Sequence, residues 1–317
     1  MSERGEAEKG LQLLMNDFEV YAPMCLKIRD KEGNITPFRL NTAQKIALAI
    51  MELQRQTEGF IRVIILKGRQ QGLSTLINGY LYRETSMRPG KKTIVVAHKA
   101  DSTETHFQMT HRYHKNVPEP IRAHTKYSGK ALLAFDALDS SYLVVTAGGD
   151  DLPRGETLQG GHLSEVAFWP KGSAARNFNG LMKAFPPKPG VVCAIESTAN
   201  GVSGVFADQW RQAVAGNNGF VPIFIPWYVT EEYTAKVPEG FKLTLEEREL
   251  MERYGTYQMP DGSEIPGFCT EGQAQRRRLE IGMNGAEKFK QEYPCFPDEA
   301  FLPTGSPVVP PVRVAWL

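Results

Sequence analysis

The stretch Lys67-Gly68-Arg69-Gln70-Gln71-Gly72-Leu73-Ser74-Thr75 follows an apolar run, Ile61 to Leu66, and leads into a segment with helical periodicity. A strand, a glycine-containing loop and a helix in that order can cradle a phosphate. Successive backbone N–H groups turn inward, and the helix N-terminus adds partial positive charge. Gly68 and Gly72 allow the tight turn and the close approach. The lysine that usually precedes the Ser/Thr is missing, and Leu73 takes its place. In this alignment Ser74 falls on the magnesium-binding hydroxyl position, with Thr75 beside it. One lost positive charge forfeits on the order of 4 kcal/mol per pair at an effective dielectric near ~20, so another cation has to act. Arg69, whose planar fork matches phosphate oxygens, is the first choice, and Lys67 the second.

Hydrolysis also needs a carboxylate at a neighbouring strand end, to orient water and hold a metal's water shell. Glu165, in Gly-Gly-His-Leu-Ser-Glu-Val-Ala-Phe-Trp, fits that role and that of a metal partner to Ser74. Ser164 stands where an aspartate is usual and adds no charge, which leaves Asp150 and Asp151 as further candidates. Arg154, on a loop hinged at Gly155, is placed to stabilise charge on a transferred phosphoryl group. Ser197, Thr198 and Asn200 end the next strand, where small polar groups can sense a γ-phosphate and pass its state to a moving part. A plain strand-to-helix cap is the simpler alternative there.

These residues need a scaffold that brings separate loops together. Strands are expected over 61–66, 92–97, 142–146, 162–168, 191–197 and 220–225, with helices over 74–85, 102–114, 172–184 and 203–215 between most of them. Residues 131–135 and 141–145 read as an inserted hairpin. Short apolar strands alternating with helices predict an α/β protein: a P-loop NTPase-type, mostly parallel sheet with helices on both faces. Right-handed crossovers then put every strand's C-terminal end on one edge, where ligands bind in such folds. Residues 1–58 read as a largely helical N-terminal segment, 59–228 as the ATPase core and 229–295 as a small helical C-terminal subdomain. The proline-rich residues 296–317 read as a linker.

In this order the motifs PFRLNTAQ, LKGRQQGLST, IVVAHKADSTETHF, RGETLQGGHLSEVAFW, IESTANG and EKFKQEYPCFPDEAFLPTG resemble the large terminase subunit of tailed double-stranded-DNA bacteriophages. The resemblance runs from about Phe38 to Gly305, and the Arg-Gln-x-Gly form of the loop is characteristic of that family. It implies an ATP- and Mg2+-dependent motor that drives double-stranded DNA into a viral procapsid. It implies adenine contact by Gln44, phosphate contact by the loop Lys67–Thr75 with Arg69 foremost, Glu165 as catalytic carboxylate and Ser197-Thr198 as coupling motif. Arg154 would reach the ATP of a neighbouring subunit in a ring closed by head-to-tail contacts. Portal protein and small terminase subunit are the implied partners, and the host cytoplasm the implied setting. Family members continue into a nuclease domain with clustered aspartates; this chain ends at Leu317 without such a cluster, so nuclease activity is not expected of it. A helicase-like remodelling ATPase, or an assembly protein that binds nucleotide without turnover, are the other readings.

Composition narrows the field. A formal charge of +1 provides no overall field for DNA, though a local patch would suffice. Cys25, Cys193, Cys269 and Cys295 lack zinc or CxxC spacing and read as free thiols. No apolar run reaches membrane length. His106, His111 and His114 are expected to be solvated or capping residues rather than ligands. Arg276, Arg277 and Arg278, with Lys288 and Lys290, are interleaved with Glu280, Glu287 and Glu292 and read as a solvated helical face. Trp169, Trp210 and Trp227 read as packing residues.

Overall fold

The computed structural model describes residues 3–129, 131–149, 152 and 155–301. Helices α1 (Glu3–Asn16) and α2 (Phe18–Cys25) are followed by a two-stranded hairpin, β1 (Lys27–Arg29) and β2 (Ile35–Pro37), and by α3 (Thr42–Glu58). The alternating core then runs β3 (Ile61–Lys67), α4 (Leu73–Met87), β4 (Lys92–Ala97), α5 (Ala100–Asn116), β5 (Tyr127–Ser128), β6 (Leu132–Phe135), β7 (Ser140–Thr146), β8 (Gly160–Ser164), α6 (Ala174–Met182), β9 (Val192–Ser197), α7 (Val205–Val214) and β10 (Val221–Ile225). A smaller unit follows: α8 (Leu245–Tyr254), the hairpin β11 (Thr256–Gln258) and β12 (Glu264–Pro266), α9 (Glu271–Asn284), α10 (Ala286–Glu292) and α11 (Pro297–Ala300).

The main sheet has the order β10-β3-β9-β8-β4-β7-β6-β5. Its strands from β10 to β7 are parallel, and β6 and β5 add an antiparallel edge. Side-chain alternation sorts the strands onto two faces. Val63, Ile65, Val95, Val144, Val192 and Ala194 join α3, α4 and α5 in one core. Ile64, Leu66, Ile94, Val96, Leu163, Cys193 and Ile195 join α6 and α7 in the other. Both faces are covered, which is why these strands read as continuous apolar runs.

Three expectations about the elements themselves need correction. Residues 27–37 form a hairpin rather than helix; its strands alternate exposed and half-buried residues and carry little apolar signal. The strand expected over 162–168 occupies 160–164 instead, because Glu165 turns left-handed (φ +50°) and starts a short 3-10 turn through Val166–Phe168. The arginine run of α9 is no freely solvated face: Arg277 is buried against Glu246, Arg276 pairs with Glu280 and Arg278 with Glu247. Trp169, Trp210 and Trp227 are buried, and the four cysteines are free. Among the described residues no helix is long and apolar enough to cross a membrane.

Candidate active site

The loop between β3 and α4 owes its shape to side chains beneath it. Gln70 (φ +56°) and Gly72 (φ +78°) both turn left-handed, a backbone pattern that suits inward-pointing N–H groups to an anion. Gly72 has a second reason to be glycine: an added Cβ would lie 2.6 Å from Gln44 Nε2. The cap of α3 clamps the loop from one side. Asn41 and Gln44 form a capping box, Gln44 Nε2 donates to Gly72 O (2.7 Å), and Asn41 Nδ2 donates to Gln71 O (3.3 Å). Gln71 is buried, with Nε2 donating to Pro226 O (2.8 Å) and Oε1 accepting from Gly68 N–H (2.8 Å). Its side chain therefore shapes the loop rather than facing a ligand, and the Gly68 N–H, shared with Ile225 O, is not free for phosphate. Leu73 is buried in the core, while the first-turn N–H groups of α4 have no intrahelical acceptor.

A cavity of about 500 Å³ lies against this loop. Lys67, Arg69 to Thr75, His98, Glu165, Phe168, Thr198 and Glu292 line it, so the ends of β3, β4, β8 and β9 meet there with the end of α10. The left-handed backbone at Glu165, a conformation that carries strain for a non-glycine residue, ends β8 at the cavity wall. Ser197 Oγ (3.2 Å) and Thr198 N–H (3.4 Å) donate to Glu165 Oε2. Asn200 Nδ2 donates to Ala167 O (3.1 Å), two residues beyond Glu165. Of the expected coupling residues, Ser197 and Thr198 thus bond the expected carboxylate directly, and Asn200 bonds the turn that follows it.

The two cations differ in placement. Lys67 is buried, with Nζ 2.9 Å from Glu165 and 3.2 Å from Glu196. Burial alone would lower its pKa; the two carboxylates outweigh that and hold the ammonium above the ordinary lysine range. Arg69 is half exposed at the mouth, where Nη1 meets Glu292 Oε2 at 2.8 Å and its N–H donates to Glu292 O at 2.8 Å. The Tyr233 hydroxyl bonds Arg69 O. Thus α10 is fastened to the loop, and Gln291 Nε2 ties the same helix to Ala199 O (2.7 Å) in the coupling segment.

Sequence reading missed Glu196. Its strand pairs it with Ile65 on β3 and Ser164 on β8, and alternation turns it to the α4 face with Val192 and Ala194. Fully buried, Oε1 accepts from Ser74 Oγ (2.8 Å), Ser164 Oγ (2.8 Å) and His162 Nε2 (3.2 Å). Burial would raise its pKa, but Lys67, then His162 and Ser164, hold it well below the carboxylate range. The available signal was a glutamate inside an otherwise apolar, two-face-buried strand, a place where an unpaired charge is not tolerated. Ser74, Glu165 and Glu196 offer only oxygen donors, the chemistry of a hard divalent cation such as Mg2+. Glu196 Oε2 is charge-paired with the Lys67 ammonium at 3.2 Å, so the oxygens that face the cavity and fit such an ion are those of Ser74 and Glu165.

Below this lies a polar file in the core. His162 Nδ1 meets Asn78 Oδ1 (2.8 Å), and Asn78 Nδ2 meets His106 Nδ1 (2.6 Å). His106 is buried inside α5, neither solvated nor capping as expected; burial, with His162 adding to it, pushes its pKa down to about 3. The unfolded chain takes up that proton near pH ~6.5 and the folded chain does not. Stability is therefore full above that pH and is lost as pH falls toward about 3. Urea unfolding at about pH 7.5 and about pH 5.5 should show His106→Gln losing less stability than wild type, by roughly 1 kcal/mol. Equal losses would mean that His106 is not held neutral.

Arg154, Asp150 and Asp151 lie outside the described residues. A scan against protein-family models matches none, and a search of curated proteins finds no match either. Among solved structures, the HK97 bacteriophage large terminase superposes with a TM-score of 0.58 at 15% identity, covering 89% of this chain. The chain spans 54%, about half, of that protein. The Thermus phage P74-26 large terminase ATPase domain gives a TM-score of 0.50 at 16% identity, over 78% of this chain and 91% of that domain. Through its parallel sheet, flanking helices and loop at the end of β3, the chain has the fold of a large terminase ATPase domain.

Proposed function

We propose that the chain is the ATP-hydrolysing motor of a terminase, coupling hydrolysis to translocation of double-stranded DNA into a procapsid. The observation that carries the reading is the single cavity wall shared by the left-handed loop, Glu165 and the end of α10. It joins a phosphate cradle, a base for water and a part able to move.

In this reading the triphosphate lies along the N–H groups of Gln70 to Thr75, and Arg69 leaves Glu292 to grip it. Gln44, whose amide is bonded to the loop at Gly72 O, is assigned to adenine in this reading. Ser74 with Glu165 would hold Mg2+, which would supply positive charge to the phosphates. Glu165 takes the proton of the attacking water. Loss of the γ-phosphate relaxes Glu165 against Ser197 and Thr198, and the segment to Asn200 passes the change through Ala199 and Gln291 to α10. Arg154 serves as the finger into a neighbouring subunit of a ring that docks on a portal protein, with the small terminase subunit as a further partner. The setting is the host cytoplasm, where phage DNA is packaged.

Phosphate release with and without double-stranded DNA tests this: stimulation is expected, and saturable binding without turnover would favour a nucleotide-sensing assembly protein. Arg69→Ala should weaken ATP binding about 10- to 100-fold, the loss of a charge-assisted bond of about 1.5–3 kcal/mol. Glu292→Ala should tighten it by freeing Arg69. Nucleotide titration reads both, and equal affinities for wild type and Arg69→Ala would reassign the phosphate cation.

A further inference from the structure

Ser164 leaves the end of β8 without the carboxylate that normally accompanies the base in this class of site. We propose that Glu196, one strand over, supplies it, as the residue that positions the Ser74 hydroxyl for a divalent cation on the nucleotide. The inference rests on the nucleotide-site reading above.

The geometry is that of a relocated carboxylate. In the parallel register Ser164 and Glu196 are direct neighbours on the face that meets α4. Both the Ser74 and the Ser164 hydroxyl donate to the same oxygen, Oε1, at 2.8 Å. A serine whose proton is committed to a carboxylate presents only lone pairs elsewhere, so Ser74 Oγ becomes an acceptor for a cation in the cavity it lines. The serine at position 164 thereby also acquires a use, as a second donor that fixes Oε1 in place.

A simpler role, counter-ion to Lys67, leaves this arrangement unexplained. Lys67 already has Glu165 at 2.9 Å, and it meets Glu196 through the other oxygen, Oε2. The Oε1 side is turned to Ser74, Ser164 and His162. The two oxygens thus have separate partners: Oε2 is buried against the Lys67 ammonium, 3.2 Å away, and Oε1 is left to the hydroxyls.

The test is titration of the full chain with ADP, in Mg2+ and in EDTA, with thermal melts to confirm folding. Wild type should bind more tightly in Mg2+ than in EDTA. Glu196→Gln should bind in EDTA at least as tightly as wild type, because a negative charge near the phosphates is gone. Its gain from Mg2+ should fall at least about tenfold, the usual effect of losing a group that orients a metal ligand. Adding Ser164→Asp to Glu196→Gln should restore much of that gain by returning a carboxylate to β8. If Glu196→Gln does not fold, Glu196→Asp keeps the charge for Lys67 but shortens the reach to Ser74, and should lose part of the Mg2+ gain. A Glu196→Gln chain with the full wild-type gain, or one weakened equally in Mg2+ and EDTA, overturns the proposal. So does an Asp variant with the full gain. A wild-type chain that binds no ADP under either condition overturns the nucleotide-site reading itself, and this inference with it.

Discussion

Glu165→Gln is expected to lower steady-state ATP turnover by about 10²- to 10⁴-fold, the range for removing a positioned general base, while ATP still binds. Glutamine keeps the size and can still accept from Ser197 Oγ and Thr198 N–H, which meet the carboxylate at 3.2 and 3.4 Å. It cannot take a proton from water. The phosphate cradle is built from other elements: the left-handed Gln70 and Gly72, the cap of α3 and the buried Gln71. Binding and turnover should therefore separate. Phosphate release measured beside nucleotide titration checks this, and wild-type turnover in the variant would remove Glu165 from the chemistry.

The largest stability effect should come from Lys67→Met. The ammonium is buried, 2.9 Å from Glu165 and 3.2 Å from Glu196, and carries much of the local charge balance. Methionine fits the space but leaves two carboxylates facing each other without a cation. Breaking a buried pair from one side costs about 3–5 kcal/mol, because the remaining charge is stranded. Glu165 retains some exposure, which places the expectation toward the lower end of that range. Urea unfolding reads it directly, and Mg2+ with nucleotide should recover part of the loss. A change under about 1 kcal/mol, the level of a surface ion pair, would show that solvent reaches the pair more freely than the burial of Lys67 indicates.

The outline of the fold was legible for a physical reason. A parallel sheet covered on both faces needs mostly apolar strands, and the runs 61–66, 92–97 and 191–197 announce themselves that way. The phosphate loop was legible because its glycines sit where a tight turn must be. What periodicity could not give was side-chain direction across strands. Glu196 carries no local mark of its role, because it adjoins the more polar run Ser197 to Asn200. Only the register with Ile65 and Ser164 shows it lying under Ser74. By sequence Lys67 is a cation within reach of a ligand, yet its strand position aims it at that same carboxylate. The apolar Val166–Phe168 resembled more strand, until the left-handed turn at Glu165 ended it. The hairpin at 27–37 has no buried face to betray it. Arg69 sits as expected at the loop, but its partner Glu292 comes from a helix more than two hundred residues later, a contact no local pattern encodes.

The most direct test is a structure of the chain bound to a non-hydrolysable ATP analogue and Mg2+. The account predicts phosphates seated on the N–H groups of Gln70 to Thr75, Arg69 detached from Glu292 and bonded to them, and Glu165 facing the γ-phosphate. An analogue bound away from that loop, with Arg69 still paired to Glu292, would contradict it.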